Sequence, residues 1–201
     1  MTPQLLVLAG PNGGGKSTFY DAFLANSPLP FLNADLFAAE TGVDSLEAAR
    51  VLDATRDRMI DDRLGFITET VFSDPYGAKL GMLRKATNAG YEVTLIYIGI
   101  ASAALSSLRV DQRLALGGHD VPRDRIASRF TRSLTNLREA VTFVSIAQLF
   151  DNSLVEEPFR HVATFKEGLL EWRMKGALPG WARGIVRAAE RPERPKRPKR
   201  P

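Results

Sequence analysis

The nine residues Gly10-Pro11-Asn12-Gly13-Gly14-Gly15-Lys16-Ser17-Thr18 fit the spacing G-x-x-x-x-G-K-[ST] and directly follow an apolar run, Gln4 to Ala9. That pattern is suited to holding phosphate. Glycines remove the Cβ that would keep successive backbone N–H groups from turning toward one anion. A helix opening at Lys16 would aim its positive dipole end at the same point. Lys16 is then placed to reach β- and γ-phosphates. The Ser17 hydroxyl would take one position on Mg²⁺, whose octahedral shell otherwise accepts phosphate oxygens and water.

The elements needed to present such a loop are legible around it. Gln4 to Ala9 reads as a buried strand and residues 16–25 as a helix. Pro28 and Pro30 interrupt the chain, and residues 31–33 form a short strand delivering Ala34 and Asp35 at its carboxyl end. Ser45 is the expected N-cap of a long helix with Leu46, Ala49, Leu52, Met59 and Ile60 on or near its apolar side, closed by Gly65. Phe66 to Thr70 is a second buried strand ending in Glu69-Thr70. Residues 75–89 read as a helix and 91–99 as the strongest strand. A helix N-capped by Ser102 runs to about Leu116. The turn Gly117-Gly118-His119-Asp120-Val121-Pro122 leads into another helix through Leu137, followed by a helix over 139–149 and a last strand over 161–165. Strands alternating with helices predict an α/β fold with a parallel sheet wound on both sides.

In such a sheet the site lies beyond the carboxyl ends of the strands, so acids placed there carry the most weight. Asp35 and Glu69 qualify. An aliphatic strand ending in Asp-Glu, the mark of large ATPases, is absent, as is the Asn-Lys-x-Asp guanine signature. What remains points to a small phosphotransferase, with one acid acting on an acceptor hydroxyl and the other on metal or substrate. Cations beside the nucleotide would stabilise charge on the moving phosphoryl group. Arg109 and Arg113 on one helix, and Arg125, Arg129 and Arg132 on the next, could supply them as a lid hinged at Gly117-Gly118. His119 is better suited to fixing that turn by hydrogen bonds than to acid/base work.

At 201 residues, with 44% hydrophobic and 25% charged content, the chain suits one globular domain, expected over 1–190. No apolar run approaches the roughly 18 residues that span a bilayer. No basic, apolar and cleavable leader precedes the first strand, so a cytoplasmic location is expected. With no cysteine there are no disulfides, thiolate metal sites or cysteine nucleophiles. The pI of 9.6 comes from residues 191–201, which hold six of the 27 Lys and Arg and one of the 23 Asp and Glu. That proline-rich segment is expected to be a disordered, polyproline-II-leaning tail: either a solvated appendage or a weak electrostatic contact for RNA, DNA or acidic lipid.

The ordered set Gly10 to Thr18, Asn33-Ala34-Asp35, Glu69-Thr70-Val71-Phe72-Ser73, Gly90-Tyr91-Glu92-Val93, Gly117 to Pro122 and Ser133-Leu134-Thr135-Asn136-Leu137 resembles the zeta toxin family of P-loop kinases, over residues 4–165. The resemblance implies a nucleoside-kinase-like P-loop NTPase fold with a helical lid. It also implies ATP and Mg²⁺, phosphorylation of the sugar hydroxyl of UDP-N-acetylglucosamine, and an antitoxin partner. By the same likeness Gly10, Pro11, Asn12, Gly13, Gly14, Gly15 and Thr18 wrap the nucleotide, Lys16 serves the phosphates and Ser17 the metal. Asp35 matches the catalytic base, and Asn33, Glu69, Thr70 and His119 face the acceptor. The two lid arginines fall among Arg109, Arg113 and Arg129. The chain is shorter than the best-studied members, carries the Gly-Gly-His-x-Val-Pro turn of a compact subgroup and ends in a basic tail foreign to them. A kinase of another hydroxyl (nucleoside, dinucleotide, antibiotic or polynucleotide end) and a nucleotide-switched nucleic-acid-binding protein are the alternative readings.

Overall fold

The structure is a computed structural model that describes residues 2–115 and 123–190. Seven strands form one sheet in the order β2-β3-β1-β4-β5-β6-β7. These are β1 (Gln4–Ala9), β2 (Phe31–Leu32), β3 (Phe66–Thr70), β4 (Glu92–Gly99), β5 (Ile146–Asp151), β6 (Arg160–Lys166) and β7 (Leu169–Arg173). The first five are mutually parallel, whereas β6 and β7 extend the edge antiparallel. The expected parallel sheet is therefore present with an antiparallel border that closes by a hairpin at Glu167-Gly168. Both turn residues take positive φ, 48° and 82°, as a tight hairpin turn requires.

The helices are α1 (Lys16–Phe19), which continues as a π-helical turn Tyr20–Leu24, α2 (Ala34–Thr41), α3 (Ser45–Asp61), α4 (Ala78–Asn88), α5 (Ala103–Ala115), α6 (Arg123–Ala140) and α7 (Gly180–Glu190). Leu5, Val7, Leu95 and Tyr97 on the central strands pack in one apolar cluster with Ile60 of α3, Leu83 of α4, Leu137 of α6 and Ile185 of α7. The alternate residues Leu8, Ile96 and Ile98 meet Phe19 in a second cluster. Burial on both faces of β1 and β4 is why these strands read as continuous apolar runs.

Four local expectations are corrected. Asp44, and not Ser45, caps α3, its carboxylate accepting from Leu46 N at 2.9 Å and Glu47 N at 3.0 Å. That helix ends at Asp61, before Gly65, with Arg63 taking the left-handed turn at φ 55°. Residues 31–33 are not all strand: Asn33 leaves the sheet to cap α2. The helix expected over 139–149 does not form. α6 ends at Ala140 and the chain enters β5, where Ala147, Leu149 and Asp151 alternate inward against β4. The turn Gly117 to Pro122, with His119, and the tail 191–201 lie outside the described residues.

Candidate active site

Register places the chemistry. Parallel pairing sets Glu69 opposite Leu8 and Thr70 opposite Ala9, the last two residues before the P-loop. It also sets Leu32 opposite Thr68, so that Asn33 emerges beside Glu69. Asn33 then does two things with one amide. Its Oδ1 accepts from the backbone N of Asp35 at 2.8 Å and of Leu36 at 3.2 Å, starting α2, while its Nδ2 donates to Glu69 Oε2 at 3.0 Å. Asp35 thus rides in the first turn of α2 with its side chain exposed, rather than on a strand end.

The other Glu69 oxygen, Oε1, lies 3.7 Å from Lys16 Nζ, which also donates to Pro11 O at 3.2 Å. Lys16 is buried, and burial lowers the pKa of its ammonium. Glu69 and Asp35 oppose that shift, and the charge of Arg113 adds to it. Lys16 therefore feels Asp35, Glu69 and Arg113 in one electrostatic neighbourhood. Asn33, Asp35, Glu69 and Thr70 line a single cavity of about 200 Å³ with Asp53, Arg56 and Lys79. Asn33, Asp35, Glu69 and Thr70, the expected acceptor residues among the described ones, are thus together; His119 lies outside the described residues.

The P-loop is braced from two sides. Gly10 has φ 144°, and a Cβ there would run into Ile98 O of β4. At Gly15, φ 93°, a Cβ would run into the Asn152 amide just after β5. Asn152 Nδ2 donates to Gly14 O at 2.9 Å. From α5, Ser106 Oγ donates to Asn12 O at 2.6 Å, and Arg109 Nη1 bonds Asn152 O at 2.8 Å and Gly13 O at 3.4 Å. Arg109 is accordingly tied to the P-loop backbone. Arg113 is exposed one turn further on. Arg129 is half-buried on α6; burial and the charges of Arg125 and Arg132 hold its guanidinium pKa down. Arg132 Nε donates to Ser73 O at 2.8 Å, joining α6 to the loop after β3.

Ser17 and Thr18 are exposed in the first turn of α1. The Ser17 hydroxyl makes no hydrogen bond among the described residues, and no cluster of three or more His, Asp or Glu that could hold an ion exists among them. A cation here would take one hydroxyl from the protein and its remaining ligands from phosphate and water, which is the donor set Mg²⁺ accepts.

Three contributors were not read from the sequence. Arg56 is buried on α3; its Nε donates to Thr68 Oγ1 at 2.7 Å and its Nη1 to Asp53 Oδ1 at 2.6 Å, while Thr68 Oγ1 donates to Leu32 O at 3.1 Å. That chain fastens β3 to β2 one residue before Glu69 and Asn33. Its signal was available: Ala48, Leu52, Arg56 and Ile60 recur every four residues on the buried face of α3. Asn152 is the second. The third, Asp151, is a strand-end acid at the end of β5, buried and satisfied by Trp181 Nε1 at 2.8 Å, Ser153 Oγ at 2.6 Å and Arg160 Nη2 at 3.2 Å. It has a structural task.

The family described as Zeta toxin matches residues 39–169. The chain belongs to the Zeta toxin family. The matched stretch contains Glu69, Thr70, Arg109, Arg113 and Arg129, and begins after the P-loop and Asp35. Among solved structures, the chain is similar to one in the AvrRxo1-ORF1:AvrRxo1-ORF2 complex with sulphate ions, at 19% identity over 85% of this chain and 60% of that one, TM-score 0.62. A chain of the AvrRxo1-ORF1:-ORF2 complex with ATP matches at 15% identity over 94% and 63%, TM-score 0.60. A chain of the PezAT chromosomal toxin-antitoxin system of Streptococcus pneumoniae matches at 18% identity over 94% and 84%, TM-score 0.58. The Zeta toxin chain thus spans 60% of the length of the first of these. At such identities the likeness establishes the α/β P-loop fold. No curated protein sequence matches the chain.

Proposed function

We propose that this Zeta toxin family chain is an ATP-dependent kinase that transfers the γ-phosphoryl group to a sugar hydroxyl, with UDP-N-acetylglucosamine or a related UDP-sugar as acceptor. The observation that carries the reading is the bonded line from Lys16 through Glu69 and Asn33 to the start of α2, in which Glu69, Asn33 and Asp35 line one cavity and Lys16 pairs with its Glu69 wall. A nucleotide-driven switch has no use for a carboxylate facing an acceptor pocket. A kinase needs one.

In the proposed step the Asp35 carboxylate takes the proton of the acceptor hydroxyl as its oxygen forms a bond to the γ-phosphorus. The bond from that phosphorus to the β,γ-bridging oxygen breaks, and ADP leaves with its electrons. Lys16 follows the charge on the transferring group, and Arg113 adds positive potential from α5. Glu69 and Asn33 position the acceptor and fix the turn that carries Asp35. Mg²⁺ held by Ser17 would neutralise phosphate oxygens. ATP in a similar AvrRxo1 structure and the toxin-antitoxin context of the PezAT one support ATP use and an antitoxin partner. No helix among the described residues is long and apolar enough to cross a membrane, and we place the reaction in the cytoplasm, where sugar nucleotides and ATP are made.

The test is mass spectrometry of UDP-N-acetylglucosamine and a cell metabolite extract incubated with protein, ATP and Mg²⁺. A UDP-sugar heavier by one phosphoryl group supports the proposal. Transfer to a different hydroxyl compound overturns the acceptor, and no transfer to any compound overturns the kinase.

A further inference from the structure

The chain's charge is segregated. Residues 173–201 hold ten of the 27 Lys and Arg and two of the 23 Asp and Glu, leaving seventeen against twenty-one for residues 1–172. The described part of this basic region has a shape. Arg173 at the end of β7 and Arg183 and Arg187, one turn apart on α7, line a concavity of about 290 Å³ together with Glu190. Arg138 of α6 reaches the same helix, its Nη2 lying beside Gly184. Glu190 pairs with Arg173, Nε to Oε1 at 2.5 Å. Arg183 and Arg187 have no carboxylate partner among the described residues.

We infer that this arginine-lined concavity binds the phosphodiester backbone of single-stranded nucleic acid, without sequence preference. Guanidinium groups present planar forks that match phosphate oxygens two at a time. A protein partner would ask for an apolar or aromatic centre to the patch, whereas the apolar side chains lining this concavity are Ala177 and the half-buried Leu178, with no aromatic ring among them. A bilayer surface is flat and would want apolar side chains to insert. A flexible phosphodiester strand can follow a groove, and the next residues in sequence, 191–201, carry six further cations and no apolar side chain apart from proline. The surface lies at the β7 edge of the sheet. The cavity with Asp35 and Glu69 lies toward the β2 edge, and the two share no residue. Binding here is therefore independent of the proposed phosphoryl transfer.

The test uses the full chain and a 5′-labelled 20-nucleotide oligouridylate, with fluorescence anisotropy followed between 50 and 300 mM KCl. The inference expects binding that weakens with salt. In the triple variant Arg173→Gln, Arg183→Gln, Arg187→Gln, the dissociation constant at 50 mM rises about tenfold or more, and the log–log salt slope falls by about 2, from roughly 0.7 per lost phosphate contact. A charge-matched control, Arg50→Gln, Arg58→Gln, Arg84→Gln, keeps the parental affinity. Thermal midpoints within a few degrees of the parent establish that both variants fold, and replacing the same three arginines by lysine restores binding in part if the triple glutamine variant does not fold. No binding of the parent at 50 mM overturns the inference. So does equal loss in the control, parental binding by the glutamine variant, or preferential capture of the protein by phosphatidylserine vesicles.

Discussion

Replacing Arg56 by methionine keeps most of the stem volume and removes the guanidinium that holds the two acid-bearing segments in register. The hydrogen bond to Thr68 is buried and made by a charged donor, a class that contributes about 1.5–3 kcal/mol. The Asp53 partner is half exposed, so solvent screening limits that pair to under about 1 kcal/mol. The expected loss is about 2–4 kcal/mol. For a domain of this size each kcal/mol moves the thermal midpoint by about 2–4 °C, so the variant melts roughly 5–15 °C below the parent. Since Thr68 and Leu32 lie one residue before Glu69 and Asn33, loosening them misplaces Asp35 relative to the acceptor. The turnover number for transfer falls more than ATP affinity does. Calorimetry, ATP titration and phosphoryl transfer on one preparation check this. A midpoint within about 2 °C of the parent with unchanged turnover would refute the role assigned to Arg56.

Lys16→Ala removes the cation at the β- and γ-phosphates, and turnover should fall by about 10²-fold or more with the fold retained; circular dichroism and transfer assays check both, and turnover within a few-fold of the parent contradicts the P-loop role. Asn152→Ala deprives Gly14 O of its donor and should weaken ATP about 5- to 30-fold while leaving the acceptor KM unchanged, as read by calorimetric titration and initial rates. His161 stacks on Trp172 at 4.4 Å, and partial burial depresses its pKa below 6.5, opposed by a hydrogen bond to the backbone carbonyl of Ala163. The folded state then binds fewer protons than the unfolded chain, so stability declines as pH falls from 6.5 toward the lower folded value. Urea midpoints at pH 7.5 and 5.5 should fall less in His161→Phe, which keeps a ring on Trp172 and does not titrate; an equal drop in both proteins would falsify the assignment.

The P-loop was legible because phosphate binding fixes its glycines, lysine and hydroxyl at set spacing, and Glu69 and Thr70 because they end a strand of the parallel sheet. Asp35 was read as a strand end but rides on α2, since Asn33 leaves the sheet to cap that helix. What the sequence hid depended on partners far along the chain. Leu137, Ala140, Val141 and Val144 recur at helical spacing, and only pairing with β4 turns the following residues into β5. With β5 unread, Asp151 and Asn152 had no strand end to occupy. Arg56 occupies a core position on α3 because Thr68 and Asp53, on other elements or turns, receive its guanidinium. The arginines divided for the same reason: on α5, Arg109 braces the P-loop backbone, whereas Arg113, one turn away, remains exposed to act at a distance.

The central claim is that Asp35 accepts the acceptor's proton during phosphoryl transfer. The direct measurement is transfer of labelled γ-phosphoryl from ATP to the acceptor by Asp35→Asn, alongside ATP binding and the thermal midpoint of the same variant. The amide keeps the shape and removes the basicity, so ATP affinity and stability should stay near the parent while transfer falls by at least about a hundredfold. A stably folded Asp35→Asn protein that binds ATP and transfers phosphoryl at the parental rate would contradict the account.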